Sequence, residues 1–536
     1  MAQNVEAPLA GVDWLKQALE SPSLSTGALP EDRGLSNGQT YQRNLVKRPP
    51  APTQSSLAPN PQSASATLSP SVDTKPIAAT IGPAFGLMSA QTSGLPTTLW
   101  ENSRETALID ILQRTEWPSL PALQSLMQRL LLTEATPPAF ASTASGTTWT
   151  AARARFLADQ GGVYQAQAFL EARAGPSPSL APVILEIALY TGDGQAVCER
   201  FPASYFAALP LDKRLYCQMR KGDWEVAGLS LAAAEALGSL EPETAQLLWA
   251  FLEPELAEAL LDSDIQAEPI NTETGAPKAP NPLRTALSRD IGLPLNAARL
   301  PLAYAVADLD GQNGWKAEVE TALRLSRAGL LPDNQLLAIL TAREPAASGR
   351  LWDNLAAWQI FDEALTRQNP MAVEETLPLA LAAARVLGVS AAFARLYGDR
   401  TQALPLEGEA GQLQTQLLLL TQRFEAAGPA LLSETDQNKS LRAAIEGRAV
   451  SNTSGSPRAA AISSGFADTE LPAKFSRLVD NNRAGEALLA AVSLINEGWW
   501  GDTRSLQDGL RLLRRLDLET DARQIAVQLL ILDPPA

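Results

Sequence analysis

Histidine is absent from this 536-residue chain. With it goes the side chain most often used as a general base near neutral pH and most often used to hold a metal ion. A Ser-His-Asp or Cys-His site is therefore impossible. Cysteine is almost missing too: Cys198 and Cys217 are the only two, and they lack CxxC spacing. Two cysteines cannot staple a chain of this length. Both lie in apolar, helix-forming surroundings, so the preferred reading is a pair of buried reduced thiols, with a disulfide between adjacent helices as the alternative. Long apolar runs are also lacking. No stretch approaches the roughly 18 residues of a membrane span, and the opening Met1-Ala-Gln-Asn-Val-Glu6 has neither the basic nor the apolar part of a secretion signal. The expectation is a cytoplasmic protein with no membrane insertion.

Positive charge is in short supply. Lys and Arg total 43 against 59 Asp and Glu, a net charge of -16, and no basic cluster offsets it. Nucleic acid and anionic membrane surfaces are disfavoured as partners. Phosphate-binding loops are missing as well: no GxxxxGK[ST] occurs, and no GxGxxG follows a strand. Asp308-Leu-Asp310-Gly-Gln-Asn-Gly314 has the opening of a calcium loop, but Asn313 stands where the sixth-position glycine belongs and Val319 where the closing glutamate belongs. It reads as a polar turn between helices. No cofactor and no metal are expected. A carboxylate pair could still do acid-base work, but nothing singles one out, and no compact Glu-bearing lysozyme-like domain stands at either end. A carboxylate-based hydrolase inside an α-superhelix is thus the enzyme alternative to a non-enzymatic reading.

What the chain has in abundance is alanine and leucine. Hydrophobic residues make up 45% of it while aromatics supply only 6%, a balance that favours helix over strand. The first apolar island, Gly11-Val-Asp-Trp-Leu-Lys-Gln-Ala-Leu-Glu20, sets Val12, Leu15 and Leu19 at helical spacing with Trp14 beside them. About two turns of helix are marginal alone in water, so this island must dock on something. Val12, Trp14, Leu15 and Leu19 are the candidate partner-binding residues; folding back onto the chain's own body would relieve the same apolar face. From residue 21 to 93 the composition is rich in Pro, Ser, Thr, Gln and Ala without apolar period, and disorder is expected.

Helical patterning begins at Gly94. Thr106–Gln113 and Leu120–Leu132 read as amphipathic helices interrupted at Glu116-Trp-Pro118. Beyond Pro137-Pro138, three stretches resemble one another: Phe156 to Gly162, Ile187 to Gly194 and Tyr216 to Trp224. Each is an apolar helix that stops at a glycine and is followed by a helix of small residues. The turn glycines, assigned to 162, 192 and 222, recur about every thirty residues, near the period of tetratricopeptide hairpins. A loop from Gln266 to Pro282 interrupts the array. Hairpins resume with Leu323–Gly329 into Asn334–Ala342 and Trp352–Thr366 into Met371–Leu387, where Trp352 and Trp358 are assigned to the core. Residues 433–472 turn polar and Ser/Gly-rich. Helices return between Ala484 and Leu532, split at Gly498-Trp-Trp-Gly-Asp502.

Gly94-Leu-Pro-Thr-Thr-Leu-Trp100, Gly222-Asp-Trp224, Gly314-Trp-Lys316 and Pro345-Ala-Ala-Ser-Gly-Arg-Leu-Trp352 together resemble an uncharacterised alphaproteobacterial helical-repeat family, some of whose members are labelled antifreeze-glycopeptide related. The resemblance runs from about residue 94 to the end and includes Asp13-Trp-Leu15. It carries no activity to transfer. The label fails on chemistry, because antifreeze glycopeptides need many tandem Ala-Ala-Thr units and Ala78-Ala-Thr80 is the one obvious instance here.

The expected architecture is all-α: a helical-hairpin solenoid of TPR-like or HEAT-like kind. It comprises a docking helix in 1–20, a disordered linker in 21–93, the solenoid in 94–432, a flexible linker or long loop in 433–472, and capping hairpins in 473–536. The expected function is a scaffold or adaptor that holds protein partners. An exported, envelope-associated binding protein is a further alternative.

Overall fold

Ala- and Leu-rich segments punctuated by Pro at helix starts and Gly at helix ends fold as that grammar dictates. Proline occupies the first turn of the helices Pro121–Leu132, Pro242–Leu252, Pro282–Asp290 and Pro370–Val386, where its missing N–H costs no hydrogen bond. A computed structural model describes residues 84–138, 147–173, 177–261, 281–293, 301–346, 348–430, 435–450, 456–467 and 470–534. All of them belong to one unit, Ala79–Ala536. Helix makes up 72% of the described structure and no strand occurs among the described residues, so the class is all-α. Val12, Trp14, Leu15, Leu19 and positions 21–83 of the expected linker lie outside the described residues.

The later hairpins form where the periodicity puts them, as Trp315–Arg327 with Asp333–Thr341 and Arg350–Thr366 with Pro370–Val386. Trp358 is fully buried, donates its Nε1–H to the Tyr397 hydroxyl at 2.9 Å and meets Phe393 edge-on at 4.8 Å. Trp352 stays half-buried and stacks on Trp315 at 5.0 Å. Of the turn glycines, Gly192 and Gly222 take left-handed backbone, φ 87° and 85°. In the first turn that role belongs to Gly161, φ 102°, and not to Gly162.

Three expectations need correction. Order starts about ten residues early: Phe85 and Met88 bridge to Ala135 and Thr133, and Phe85 packs on Phe169 at 4.8 Å. The apolar run Ala84-Phe-Gly-Leu-Met88 had been absorbed into its Pro/Ser-rich surroundings. The polar stretch 433–472, expected as a linker or long loop, carries the helices Asp436–Glu446 and Pro457–Phe466, capped by Thr435 and Ser456. Its small residues serve close packing: a Cβ on Gly465 would lie 2.9 Å from the Leu510 side chain. Finally, Cys198 and Cys217 are not separate thiols. Both are fully buried, with Cα atoms 5.1 Å apart and a disulfide between them, because helices Gly194–Arg200 and Leu211–Arg220 pack directly together.

Packing is not confined to neighbours in sequence. Helix Pro121–Leu132 is buried around most of its circumference, through Leu123, Gln124, Leu126, Met127, Leu130 and Leu131. It lies against two helices from the far end of the chain, Ala484–Trp499 and Glu519–Ile531. Gly485 N donates to the Leu99 carbonyl at 3.0 Å, and a Cβ there would sit 2.3 Å from the Trp100 ring, so only glycine permits this approach. Ala122 N donates to Gln528 Oε1 at 2.7 Å, and Arg129 pairs with Asp521. A main core thus runs from Leu95 to Leu529, while a smaller one gathers residues Ala181 to Leu287 around the disulfide.

Candidate functional site

Acid-base chemistry needs titratable groups that converge, and the densest such cluster lies where helices Thr147–Asp159, Ala181–Thr191 and Leu211–Arg220 meet. Tyr190 donates to Asp159 Oδ1 at 3.2 Å and packs edge-on against Tyr304 at 4.9 Å. Burial pushes the Tyr190 phenol well above its usual range and the Tyr304 phenol up to about 12. Burial also raises Asp159, against the hydrogen bond from Tyr190. Burial would raise Glu186 likewise; the Arg155 bond at 2.8 Å and the Lys213 ammonium outweigh it and hold that carboxylate below its usual range. Two carboxylates shifted in opposite directions are a signature of acid-base sites. Here one is clamped by two cations and the other accepts from Tyr190 on the neighbouring helix, which is the wiring of a helix junction.

Arg153 is the other conspicuous ionisable group. It is buried, lowered by burial to about 9, and lies 4.6 Å from the Phe169 ring centre. Its guanidinium donates to the carbonyls of Leu131 and Thr133. It thereby ties down the end of helix Pro121–Leu132, whose last carbonyls have no partner within the helix.

A crevice of about 270 Å³ opens where the N-terminal, middle and C-terminal segments meet, and six glutamines stand among its lining residues. These amides already have work. Gln124, Gln128 and Gln165 donate to the carbonyls of Arg327, Gly329 and Leu330 at 2.7–2.8 Å, and Trp117 Nε1 donates to Ala328 O at 2.9 Å. Four consecutive carbonyls at the end of helix Trp315–Arg327 are therefore satisfied by side chains from 117–165. At the rim, Arg395 grips Asp333 through two bonds of 2.7 and 2.8 Å. The crevice is a seam whose polar groups serve the fold. Sequence reading missed it because a glutamine on a helix reads as solvated.

Two helices instead turn large apolar side chains outward. Along Trp224–Ala236 the residues facing the core are Ala227, Leu231 and Ala234, whereas Val226, Leu229 and Ala233, with Leu237 just beyond, face solvent; Leu229 is 76% exposed and Leu237 79%. Along Pro370–Val386, Met371 at 80% exposure, Leu379, Ala382 and Val386 line the outer side. A surface helix normally presents polar residues outward, and one that is apolar all round is normally buried. The signal was legible in Trp224-Glu-Val-Ala-Gly-Leu-Ser-Leu-Ala-Ala-Ala-Glu-Ala236, which is apolar nearly all round. The expected docking residues Val12, Trp14, Leu15 and Leu19 lie outside the described residues.

Asp308, in the turn that opens like a calcium loop, is buried and accepts a bond from Asn313 at 2.6 Å. No helix among the described residues is long and apolar enough to cross a membrane. Compared with known proteins, the chain matches no family model, no curated protein and no solved structure.

Proposed function

We propose that this protein is a non-catalytic scaffold or adaptor for protein partners, built from hairpins of TPR-like or HEAT-like kind. The observation that carries the reading is the pair of outward apolar faces on Trp224–Ala236 and Pro370–Val386. Exposed apolar side chains aligned along a helix are stabilised when a partner covers them, and contiguous patches of this kind mark interaction sites. The titratable groups support the same reading, since the junction around Glu186 and the glutamine seam are spent on holding helices together. The island carrying Val12, Trp14, Leu15 and Leu19 is a second binding element in this proposal, and the resemblance to the alphaproteobacterial repeat family belongs to it as well.

The test is affinity purification with mass spectrometry from the native host, using the full chain, a Trp14→Ala/Leu15→Ala chain and a Met371→Ser/Leu379→Ser chain. A defined partner lost with either pair of substitutions supports the scaffold and says which element binds. A chain that recovers no partner above background overturns it and returns attention to the Asp159–Glu186 junction.

For the compartment, the sequence reading is cytoplasmic, but one observation favours the exported, envelope-associated alternative. The Cys198–Cys217 disulfide is of a type that persists in oxidising compartments and is rare in a reducing cytosol. Alkylation of thiols in acid-quenched host cells separates the two: unmodified cysteines place the chain in an oxidising compartment, two alkylated ones in the cytoplasm.

A further inference from the structure

Charge divides the two outward apolar faces. Between Gly222 and Leu261 the sequence holds eight carboxylates, from Asp223 to Glu258, and not one Lys or Arg. That span is the apolar-faced helix Trp224–Ala236 together with its two successors, Pro242–Leu252 and Pro254–Leu261. Glu225, Glu235, Glu253, Glu255 and Glu258 are all exposed. Arg284 reaches over to Glu241 and Glu243, which leaves the other carboxylates of the span to set the local potential. The hairpin that bears Met371 and Leu379, by contrast, mixes Arg350, Arg367 and Arg385 among its acids.

We infer that the Val226–Leu229–Ala233–Leu237 face is a docking surface for a basic amphipathic helix, one with an apolar stripe flanked by Lys or Arg. The apolar ridge has the spacing of a helix face, i, i+3, i+7 and i+11, which a partner helix can match along three turns. The carboxylates around it select the partner's sign, because opposite charges bordering an apolar contact steer encounter and repel acidic competitors. A second copy of this chain is a poor occupant, since it would bring the same acidic border against itself. An anionic lipid surface fails for the same reason. The outer stripe is apolar as well as the inner one: Val226, Leu229 and Leu237 face water while Ala227, Leu231 and Ala234 face the core. The fold's own packing on this helix is carried by the inner residues, which keeps the outer stripe available to a partner.

This assignment rests on the scaffold reading, and its test separates the two. The probe is a fluorescein-labelled Leu/Lys peptide of about 18 residues with Leu at helical i, i+3, i+4, i+7 spacing, titrated by fluorescence anisotropy into the full chain. Its twin replaces every Lys with Glu and keeps the stripe. The Leu/Lys peptide is expected to bind at least about tenfold tighter than the Leu/Glu twin and to weaken as salt rises from about 0.05 to 0.5 M. Leu229→Ser/Leu237→Ser is expected to weaken it about tenfold, with circular dichroism confirming an unchanged fold, while Met371→Ser/Leu379→Ser leaves it alone. Equal binding of the two peptides, or undiminished binding to the Leu229→Ser/Leu237→Ser chain, overturns the assignment. If binding falls instead with Met371→Ser/Leu379→Ser, this surface is wrong while the scaffold reading survives. Failure of the scaffold reading would show separately, as host purification with no partner.

Discussion

The larger core draws its members from Leu95 to Leu529, whereas the smaller one is assembled from residues between Ala181 and Leu287. In the first, helices from both ends of the chain enclose a shared interior, and the polar atoms at the seam are matched across more than two hundred residues of sequence, as with Trp117 and Ala328 or Ala122 and Gln528. In the second, short helices pack on their neighbours, a disulfide closes a local loop, and helix Pro282–Asp290 returns to pack on Ala181–Thr191, with Arg289 donating to the Leu189 carbonyl at 3.1 Å. The difference teaches how one helical alphabet yields two kinds of stability. Contacts that span the chain tie the large core together, whereas the small core is closed by contacts of shorter reach, is stapled by a disulfide and turns one apolar face outward.

The largest effect should come from the centre of the large core. Trp358→Ala removes a fully buried indole together with its bond to Tyr397 and should cost about 3–5 kcal/mol. Urea denaturation should show the whole main core shifting to a lower midpoint. A midpoint change confined to a minor early transition would mean that the large core is not one cooperative body.

Next comes the staple. Cys198 and Cys217 are 19 residues apart in sequence, so closing that loop restricts the unfolded chain by about 3 kcal/mol. Cys198→Ser/Cys217→Ser should speed hydrogen exchange in helices between Ala181 and Asp290 and leave Ala484–Ile531 protected. Equal acceleration in both regions would merge the two cores into one unit.

Gln528→Ala tests the seam from one side. It strips the acceptor from the buried Ala122 N–H, a loss of about 1–3 kcal/mol, and should loosen the two ends of the chain before it disturbs the disulfide-linked helices. Differential exchange at 121–132 is the readout, and no change there would make the bond incidental.

Much of this plan was legible in sequence, and the illegible part is of one kind. Apolar period and the glycine at 329 located hairpins over 323–342 and 352–387, whose first helices begin earlier, at Trp315 and Arg350, and assigned Trp358 to the core. The contacts that close the fold left no such trace. Gln124, Gln128, Gln165 and Gln528 are side chains that usually meet water, and nothing local says that a distant carbonyl awaits each one. Gly485 reads as an ordinary helix-start glycine until Trp100 is placed against it. Pairing of Cys198 with Cys217 depends on the angle at which two helices cross, which a spacing of 19 residues does not dictate. The Ala-, Ser- and Gly-rich residues 436–466 look like a linker because the small side chains that permit close packing are also those of loops. The outward face of Trp224–Ala236 was visible as an apolar helix, but which side would stay bare depended on its neighbours.

The helix shared by the two cores should respond to pH. Tyr190 sits on helix Ala181–Thr191, which packs into both, and it meets Tyr304 of the main core. Unfolded phenols ionise near pH 10, whereas burial raises Tyr190 and takes Tyr304 up to about 12. Protonated phenols therefore favour the folded state fully below about pH 10, and that contribution is lost as the pH climbs from there through 12. Arg153, lowered to about 9 by burial, acts in the opposite sense over that range. Tyr190→Phe/Tyr304→Phe leaves Arg153 in place and should flatten the alkaline fall in the melting temperature. An unchanged slope would show that these two phenols do not carry it.

The smallest effect is expected where the small core meets water. Leu229 and Leu231 are two residues apart on one helix, one mostly exposed and the other fully buried. Leu229→Ser should alter stability by no more than about 0.5 kcal/mol, as surface substitutions usually do, since nothing in the fold leans on that side chain. Leu231→Ser opens a hole and buries a hydroxyl, so it should destabilise far more. Thermal melts of the two variants measure the contrast directly. If Leu229→Ser proved as costly as Leu231→Ser, the outer stripe would be part of the chain's own packing and no partner would be needed to explain it. If it is neutral, the fold makes no use of that leucine, and the side chain is free to contribute to a partner's contact on an acidic surface.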